Sequence, residues 1–261
     1  MVLFFYSPFL LVKDYHLGIK FILSCFKNLY YLSNINPLGI INGMKILAVS
    51  DHIDPRVYSN LCRERFQNVS CVISCGDLPE HYLDFIVSCL NVPLFFVHGN
   101  HDPSAGKKSL AGGYNLDGKV INFQGILLAG LEGSLWYNGN IHQYSQRAMY
   151  QKYLALLPQL YWAKMRYHRY LDVLVTHSPP GGIHESDDPV HKGFKVFNHM
   201  IKKFQPRFHL HGHTHLYDRN QSYQDLLYQT IVINCYNYRI IDLGRGKDVR
   251  DFSISGVKSR V

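Results

Sequence analysis

The chain has 261 residues, of which 47% are hydrophobic and 18% are charged, and its formal net charge is +8. This hydrophobic content excludes a disordered polymer, and six cysteines are too few for a disulfide scaffold of this length. The positive charge suits an anionic partner, but it does not distinguish a nucleic acid, a membrane surface and a phosphorylated small molecule.

The first 43 residues differ in composition from the rest. Their apolar stretches are interrupted by charged residues, so none approaches the roughly 18 to 20 residues that a membrane-spanning helix needs. The first lysine, Lys13, follows the apolar run instead of preceding it, which disfavours a secretory signal peptide. We therefore expect residues 1–43 to be an N-terminal extension outside the native fold, with a membrane-surface anchor or a docking segment as alternatives. One domain is expected over residues 44–261.

The cysteines contain no C-x-x-C pair, and most of them lie inside apolar runs. This pattern favours buried free thiols in a reducing compartment and disfavours a zinc site built from thiolates. The expected location is therefore cytoplasmic.

From Met44 onward, apolar strands alternate with helical stretches. Strands are predicted at 46–49, 69–74, 93–97, 119–123, 126–131, 172–176, 207–210, 230–234 and 238–243. Helices are predicted at 55–66, 78–90, 144–170 and 190–204. Because crossover helices and a hairpin are mixed, we expect an α/β fold of two packed mixed β-sheets with helices outside.

Polar residues follow five of the predicted strands. They are Asp51, Asp77, the run Asn100-His101-Asp102, His177, and the histidine-rich run 209–215. Such residues lie together when they line the crevice at the carboxyl edge of a sheet. Carboxylates, an amide oxygen and imidazoles are suitable ligands for Mn, Fe, Ni or Zn. Two such ions held by a bridging carboxylate, for which Asp77 is the natural candidate, are suited to phosphoester hydrolysis.

The five blocks resemble the pattern of the calcineurin-like metallophosphoesterase family, which reads D-x-H, G-D, G-N-H-[DE], H and G-H-x-H. The resemblance extends from Met44 to about Asp242, and four blocks match to the residue. It implies a four-layer α-β-β-α sandwich and a centre of two divalent metal ions, with Mn favoured and Fe, Zn or Ni as alternatives.

The same resemblance implies individual roles. One ion would be held by Asp51, Asp77 and His215, and the other by Asp77, Asn100, His177 and His213. A hydroxide on the metals would be the nucleophile, His101 would be the general acid, and Asp102 would orient His101.

The first block departs from the family pattern. A histidine is expected at position 53, where this sequence has Ile53, which cannot bind a metal. Asp54 is a candidate substitute ligand, and His52 would need a rotated loop to take part. We expect a working centre with one altered ligand.

The stretch after His177 is rich in titratable side chains. His184, Asp187 and His191 are candidate substrate-binding residues on a loop over the metals. The alternative is a solvated loop in which Asp187 or Asp188 caps the following helix.

These observations favour a metal-dependent phosphoesterase that acts on a phosphodiester or nucleotide-like small molecule. Two alternatives remain: a non-catalytic interaction protein on the same fold, supported by Ile53, and a nuclease. The basic residues that suggest a nuclease are Lys164, Arg166, Arg169, Lys202, Lys203 and Arg207. Their spacing is also typical of solvated helix faces.

Overall fold

The fold is taken from a computed structural model that describes residues 43–103, 110–186, 188–216, 222–244 and 259–260. The predicted N-terminal extension and Asp187 lie outside the described residues, apart from Gly43. The domain boundary therefore stays a prediction.

Short strands and four α-helices make up the described chain. The strands are β1 (Lys45–Ser50), β2 (Cys71–Ser74), β3 (Leu94–Phe96), β4 (Tyr114–Asn115), β5 (Val120–Phe123), β6 (Ile126–Leu131), β7 (Ser134–Leu135), β8 (Gln143–Tyr144), β9 (Val173–Thr176), β10 (Phe208–His211), β11 (Gln224–Leu227), β12 (Thr230–Asn234), β13 (Asn237–Asp242) and β14 (Ser259–Arg260). The helices are α1 (Cys62–Arg65), α2 (Glu80–Leu90), α3 (Gln146–Tyr167) and α4 (Lys195–Phe204).

Two mixed sheets form the centre of the fold. The first has the order β13-β1-β2-β3-β4, in which β1, β2, β3 and β4 are parallel and β13 is antiparallel to β1. The second has the order β14-β11-β12-β10-β9-β6-β5, in which β12, β10, β9 and β6 are parallel. Strands β7 and β8 form a separate pair.

Three apolar clusters separate the layers. One lies between the two sheets and includes Ile73 and Leu210. Another packs α3 and α4 on the second sheet through residues such as Leu160, and the third packs α1 and α2 on the first sheet through residues such as Leu83. The order of layers is helix, sheet, sheet, helix, which confirms the predicted four-layer α-β-β-α fold.

Local sequence explains how several elements begin and end. Helix α3 begins after Ser145, whose side chain accepts a hydrogen bond from the amide of Ala148, as an N-cap serine does. The hairpin of β5 and β6 turns at Gln124 and Gly125, which both have positive φ, as a tight hairpin requires. Helix α2 ends at Asn91 in the left-handed conformation.

All four predicted helices are shorter in the structure, and two of them differ most. The region 55–66 is helical only over α1, because turns occupy the residues after Asp54. In place of one helix over 190–204, the structure has a 3-10 turn at Pro189–His191 and then α4, which begins at Lys195. Strands β4, β7, β8, β11 and β14 had no sequence signal, because they are only two to four residues long and lack a clear alternation. Among the described residues, none of the helices has the length and apolar content needed to cross a bilayer.

Candidate metal centre

The fold brings the polar residues at the strand ends to one place. Strands β1 and β2 of the first sheet end just before Asp51 and Asp77, and strand β9 of the second sheet ends just before His177. Asp51, Asp77 and His213 have positive φ values of 63°, 57° and 68°. This left-handed backbone is uncommon for residues with a Cβ, and such residues cluster at functional sites.

The donor atoms of Asp77, His177 and His213 all lie within 4.8 Å of one another. Asn100 joins them, because its Oδ1 lies 2.9 Å from Nε2 of His177. The same nitrogen lies 3.3 Å from Oδ2 of Asp77. Metal–nitrogen and metal–oxygen bonds of about 2.0 to 2.2 Å place two ligands of one ion roughly 3 to 4 Å apart. The four side chains predicted for the second ion therefore fit a divalent metal.

Backbone carbonyls fix the orientation of the two imidazoles. Nδ1 of His177 donates to the carbonyl oxygen of Cys75 at 2.8 Å, and Nε2 of His213 donates to that of Val190 at 2.9 Å. Each ring is thereby left with its other nitrogen, Nε2 in His177 and Nδ1 in His213, as the one that can bind a metal. Outer hydrogen bonds of this kind are usual around metal-bound histidines.

Glycines leave room for the ligands. A Cβ on Gly99 would collide with Oδ1 of Asp77 and would lie 2.7 Å from Cε1 of His177. A Cβ on Gly212 would collide with Oδ2 of Asp51. These glycines are needed because the carboxylates pack directly against the backbone of the neighbouring loops.

The site concentrates buried charge. Burial raises the pKa of Asp51, and the neighbouring carboxylate of Asp77 raises it further, although His177 opposes this. Burial also acts to raise the pKa of Asp77, but His177 and the amide of His101 outweigh it and lower the pKa to about 2. Burial acts to lower the pKa of His177, but Asp77 and Asp51 raise it to about 9. Because the buried carboxylates of Asp51 and Asp77 are stabilised in their charged form by a nearby positive charge, the site is suited to a cation.

The first predicted ion has a less complete ligand set. Oδ1 of Asp51 lies 4.0 Å from Nε2 of His215, and Oδ2 of Asp51 accepts the amide of His213 at 2.9 Å. Ile53 instead packs against the apolar cluster under α1 and α2. Asp54 is buried, and its Oδ1 accepts the amide of Arg56 at 2.7 Å, so the contact described for this carboxylate closes a turn.

His101 and Asp102 differ in their surroundings. The amide of His101 donates to Oδ1 of Asp77 at 2.8 Å, and its side chain is exposed. Oδ2 of Asp102 accepts the amides of Asp77 and Gly99 at 3.0 and 2.8 Å. Among the described contacts Asp102 organises the loop backbone, and its predicted action on the imidazole of His101 stays a prediction.

Two histidines of the loop after β9 lie in different surroundings. His191 lies over the centre, with its ring 5.0 Å from that of His213, and its Nδ1 pairs with Asp188 at 3.0 Å. His184 points into the protein, where its Nδ1 lies 2.8 Å from Nε2 of His211. His191 therefore lies beside a candidate metal ligand and His184 lies inside the protein, and their predicted contacts with substrate stay predictions. Asp188 caps the 3-10 turn through the amide of Val190, which agrees with the alternative interpretation of the loop.

Sequence reasoning missed Tyr137, which contacts the candidate ligand Asn100. Nδ2 of Asn100 donates to the hydroxyl of Tyr137 at 3.1 Å. The tyrosine lies in the turn between the two-residue strands β7 and β8, where no motif or periodicity marks it. The carbonyls of Cys75 and Val190 were also missed, since backbone groups carry no sequence signal.

Comparisons with known proteins identify the family and the fold. The chain matches the family model described as calcineurin-like phosphoesterase over residues 44–217. The protein TT1561 of Thermus thermophilus has a similar structure, with a TM-score of 0.54, 15% identity, and coverage of 80% of this chain and 96% of that chain. A structure described as a novel archaeal phosphodiesterase has a TM-score of 0.42 and 16% identity, and the match covers 77% of this chain and 100% of that one.

Comparison with curated protein sequences gave no match. The family match nevertheless covers more than half of the chain, and the two sheets with flanking helices are the fold of the similar structure from Thermus thermophilus. The chain therefore belongs to the calcineurin-like phosphoesterase family of metal-dependent phosphoesterases.

Proposed function

We propose that the protein hydrolyses a phosphodiester or a nucleotide-like phosphoester with two divalent ions, of which Mn is the favoured metal. The observation that supports this most directly is the cluster of Asp77, His177 and His213, whose donor atoms lie within 4.8 Å of one another. When bound, the ions would polarise the phosphoryl group and supply a nucleophile near neutral pH. Asp77 and the side chains of Asn100, His177 and His213 would hold one of them.

The other ion would be held by Asp51, Asp77 and His215. This assignment rests on the 4.0 Å separation of Asp51 Oδ1 and His215 Nε2 and on the proximity of the two carboxylates. Because Ile53 takes the place of a ligand, we propose that this ion binds more weakly than the other.

His101 is proposed as the general acid. Its backbone is held by Asp77, a proposed ligand of both ions, and its exposed side chain lies close enough to help lower the pKa of that carboxylate. From there the imidazolium can give its proton to the leaving oxygen as the phosphorus–oxygen bond breaks. His191, which lies beside His213 and pairs with Asp188, is proposed to contact the substrate.

The basic residues that suggested a nuclease make local contacts in the fold. Arg169 pairs with Asp172 at 2.8 Å, and Arg207 donates to the carbonyl of Leu243 at 3.3 Å. The ammonium group of Lys203 lies over the ring of Phe204. These contacts favour a small-molecule ester over a nucleic acid as the substrate.

The test compares wild type with His101→Ala after loading with Mn²⁺. Metal content is measured first, and hydrolysis is then followed with two phosphodiesters, one with a p-nitrophenolate leaving group and one with a poorer alkoxide leaving group. Loss of a general acid should lower kcat by about 10²- to 10⁴-fold, and the loss should be larger for the alkoxide because it needs the proton more. The Mn²⁺ content should stay that of the wild type.

His81→Ala is the matched control, since His81 is an exposed histidine on α2. It should have the wild-type rate with both esters. A wild-type protein that binds less than one ion per chain, or that hydrolyses neither ester with any divalent metal, would refute the proposed function. Equal losses on both esters would refute the acid role alone.

A further inference from the structure

The side chain of Tyr137 lies against the amide of a proposed metal ligand. Nδ2 of Asn100 donates to its hydroxyl oxygen at 3.1 Å, while Oδ1 of the same amide lies 2.9 Å from Nε2 of His177. Asn100 is only 3% exposed, so its two polar ends depend on these partners. One end of the amide faces the metal-binding nitrogen of a histidine, and the other faces a tyrosine.

The turn that carries Tyr137 is braced by its own hydrogen bonds. Oε1 of Gln143 accepts the amides of Tyr137, Asn138 and Gly139, each at 3.2 Å. Nε2 of Gln143 donates to Oδ1 of Asn138 at 2.7 Å, and the amide of Trp136 donates to the next strand. The backbone that carries Tyr137 is therefore held in place, and its hydroxyl lies within hydrogen-bond distance of Asn100.

An asparagine amide needs such a support in order to be a good metal ligand. The terminal torsion of Asn is broad and roughly two-fold, so rotation can exchange the oxygen, which binds metals, for the NH₂ group, which does not. A fixed acceptor for the NH₂ group holds the oxygen on the opposite side. In this chain the phenolic oxygen of Tyr137 is that acceptor.

We propose that Tyr137 is a positioning residue that holds Oδ1 of Asn100 toward the metal ion bound by Asp77, His177 and His213. This inference rests on the proposed function, because it assigns a role at the same metal centre. Loss of outer hydrogen-bond partners typically weakens metal binding by 10- to 100-fold. Since Asn100 is one ligand of four, we expect an effect of about 10-fold.

The experiment measures Mn²⁺ affinity of the full chain by isothermal titration calorimetry. Tyr137→Phe removes the hydroxyl but keeps the ring, and it should weaken the tighter Mn²⁺ site by about 10-fold. The control is Tyr114→Phe, in which an exposed tyrosine whose ring stacks on Phe95 at 5.5 Å also loses its hydroxyl. It should bind Mn²⁺ as wild type does. Tyr114→Phe should also keep the melting temperature of the metal-free protein, whereas Tyr137→Phe should lower it somewhat, because the buried NH₂ group of Asn100 loses its acceptor.

A double-mutant cycle separates positioning from a general structural effect. Asn100→Ala removes the group through which Tyr137 acts, so adding Tyr137→Phe to it should change Mn²⁺ affinity no further. Two results would overturn the inference: wild-type Mn²⁺ affinity in Tyr137→Phe, whether KM rises or not, and an equal loss of affinity in the Asn100→Ala background. If wild type itself binds no Mn²⁺, the proposed function fails, and this inference fails with it. If wild type binds Mn²⁺ and is active, failure concerns Tyr137 alone.

Discussion

Gly99 lies where the two sheets contribute ligands, and replacing it with alanine should disable the metal centre. Its φ is outside the left-handed range, so an alanine can adopt the backbone conformation without strain. The effect of Gly99→Ala therefore comes only from what the added methyl group meets. It meets Oδ1 of Asp77, with which it collides, and Cε1 of His177 at 2.7 Å.

The size of the effect follows from these contacts. An ordinary contact begins at 3.4 Å, so the imidazole of His177, now at 2.7 Å, must move by about 0.7 Å, and the carboxylate of Asp77 must move farther. Metal sites tolerate deviations of only about 0.2 Å in ligand distance. Displacing two ligands beyond that limit should weaken Mn²⁺ binding by at least about 100-fold, equivalent to about 2.7 kcal/mol. Overpacking of the metal-free protein should also cost about 1–3 kcal/mol of unfolding free energy.

The assay is Mn²⁺ titration by calorimetry together with denaturant unfolding of the metal-free protein. Gly181→Ala is the matched control, because Gly181 also has an ordinary φ and its added methyl would lie 3.5 Å from the side chain of Lys195, an ordinary contact. The control should bind Mn²⁺ with wild-type affinity. Wild-type affinity in Gly99→Ala would refute the reasoning, because it would mean that Asp77 and His177 are not both ligands.

Two other predictions concern carboxylates outside the proposed ligand sets. Asp54→Ala should lower the free energy of unfolding by about 1 kcal/mol, because the amide of Arg56 loses its acceptor. Metal analysis of this variant should find the wild-type ion content. Loss of one ion would show that Asp54 is a ligand. Burial acts to raise the pKa of Glu132 above 4.5, but His142 and other partners outweigh burial and lower the pKa to about 2. The ionised Glu132 therefore stabilises the fold above about pH 4.5, and this contribution is lost as the pH falls toward 2. Glu132→Gln should therefore cost about 1–3 kcal/mol at pH 6 in denaturant unfolding, with a difference from wild type that shrinks over that pH range; a constant difference would contradict this assignment.

The sequence predicted most of the fold because the central strands are short apolar runs with polar residues directly after them. Strands β1, β2, β9 and β10 each lead into Asp51, Asp77, His177 or His213, and parallel strands bring such ends to the same edge. The separation of one sheet from the other could also be anticipated, because crossover helices and a hairpin occur in one chain. The four-layer order and the individual ligand assignments came from the resemblance to the family's motifs.

Other parts of the site depend on contacts that residue types do not encode. His184 and His191 look equivalent in the sequence, yet one bonds to His211 inside the protein and the other lies over His213. The difference arises from the path of the loop, in which His184 has positive φ. Tyr137 reaches the site from a turn between two very short strands, where neither alternation nor a motif marks its position.

The centre joins the two sheets, which links metal binding to the stability of the sandwich. Asp77 and Asn100 follow strands of the first sheet, and His177 and His213 follow strands of the second. Even without an ion, hydrogen bonds cross between the two sets of loops: His177 to the carbonyl of Cys75 at 2.8 Å, and the amide of His213 to Asp51 at 2.9 Å. These bonds already hold the donor atoms close together, so the loops need little rearrangement to bind a metal. An ion that binds the folded state alone then adds stability that grows with its concentration relative to Kd, about 2.7 kcal/mol at 100 times Kd. The ions that would bind the substrate's phosphoryl group would therefore also link the two sheets.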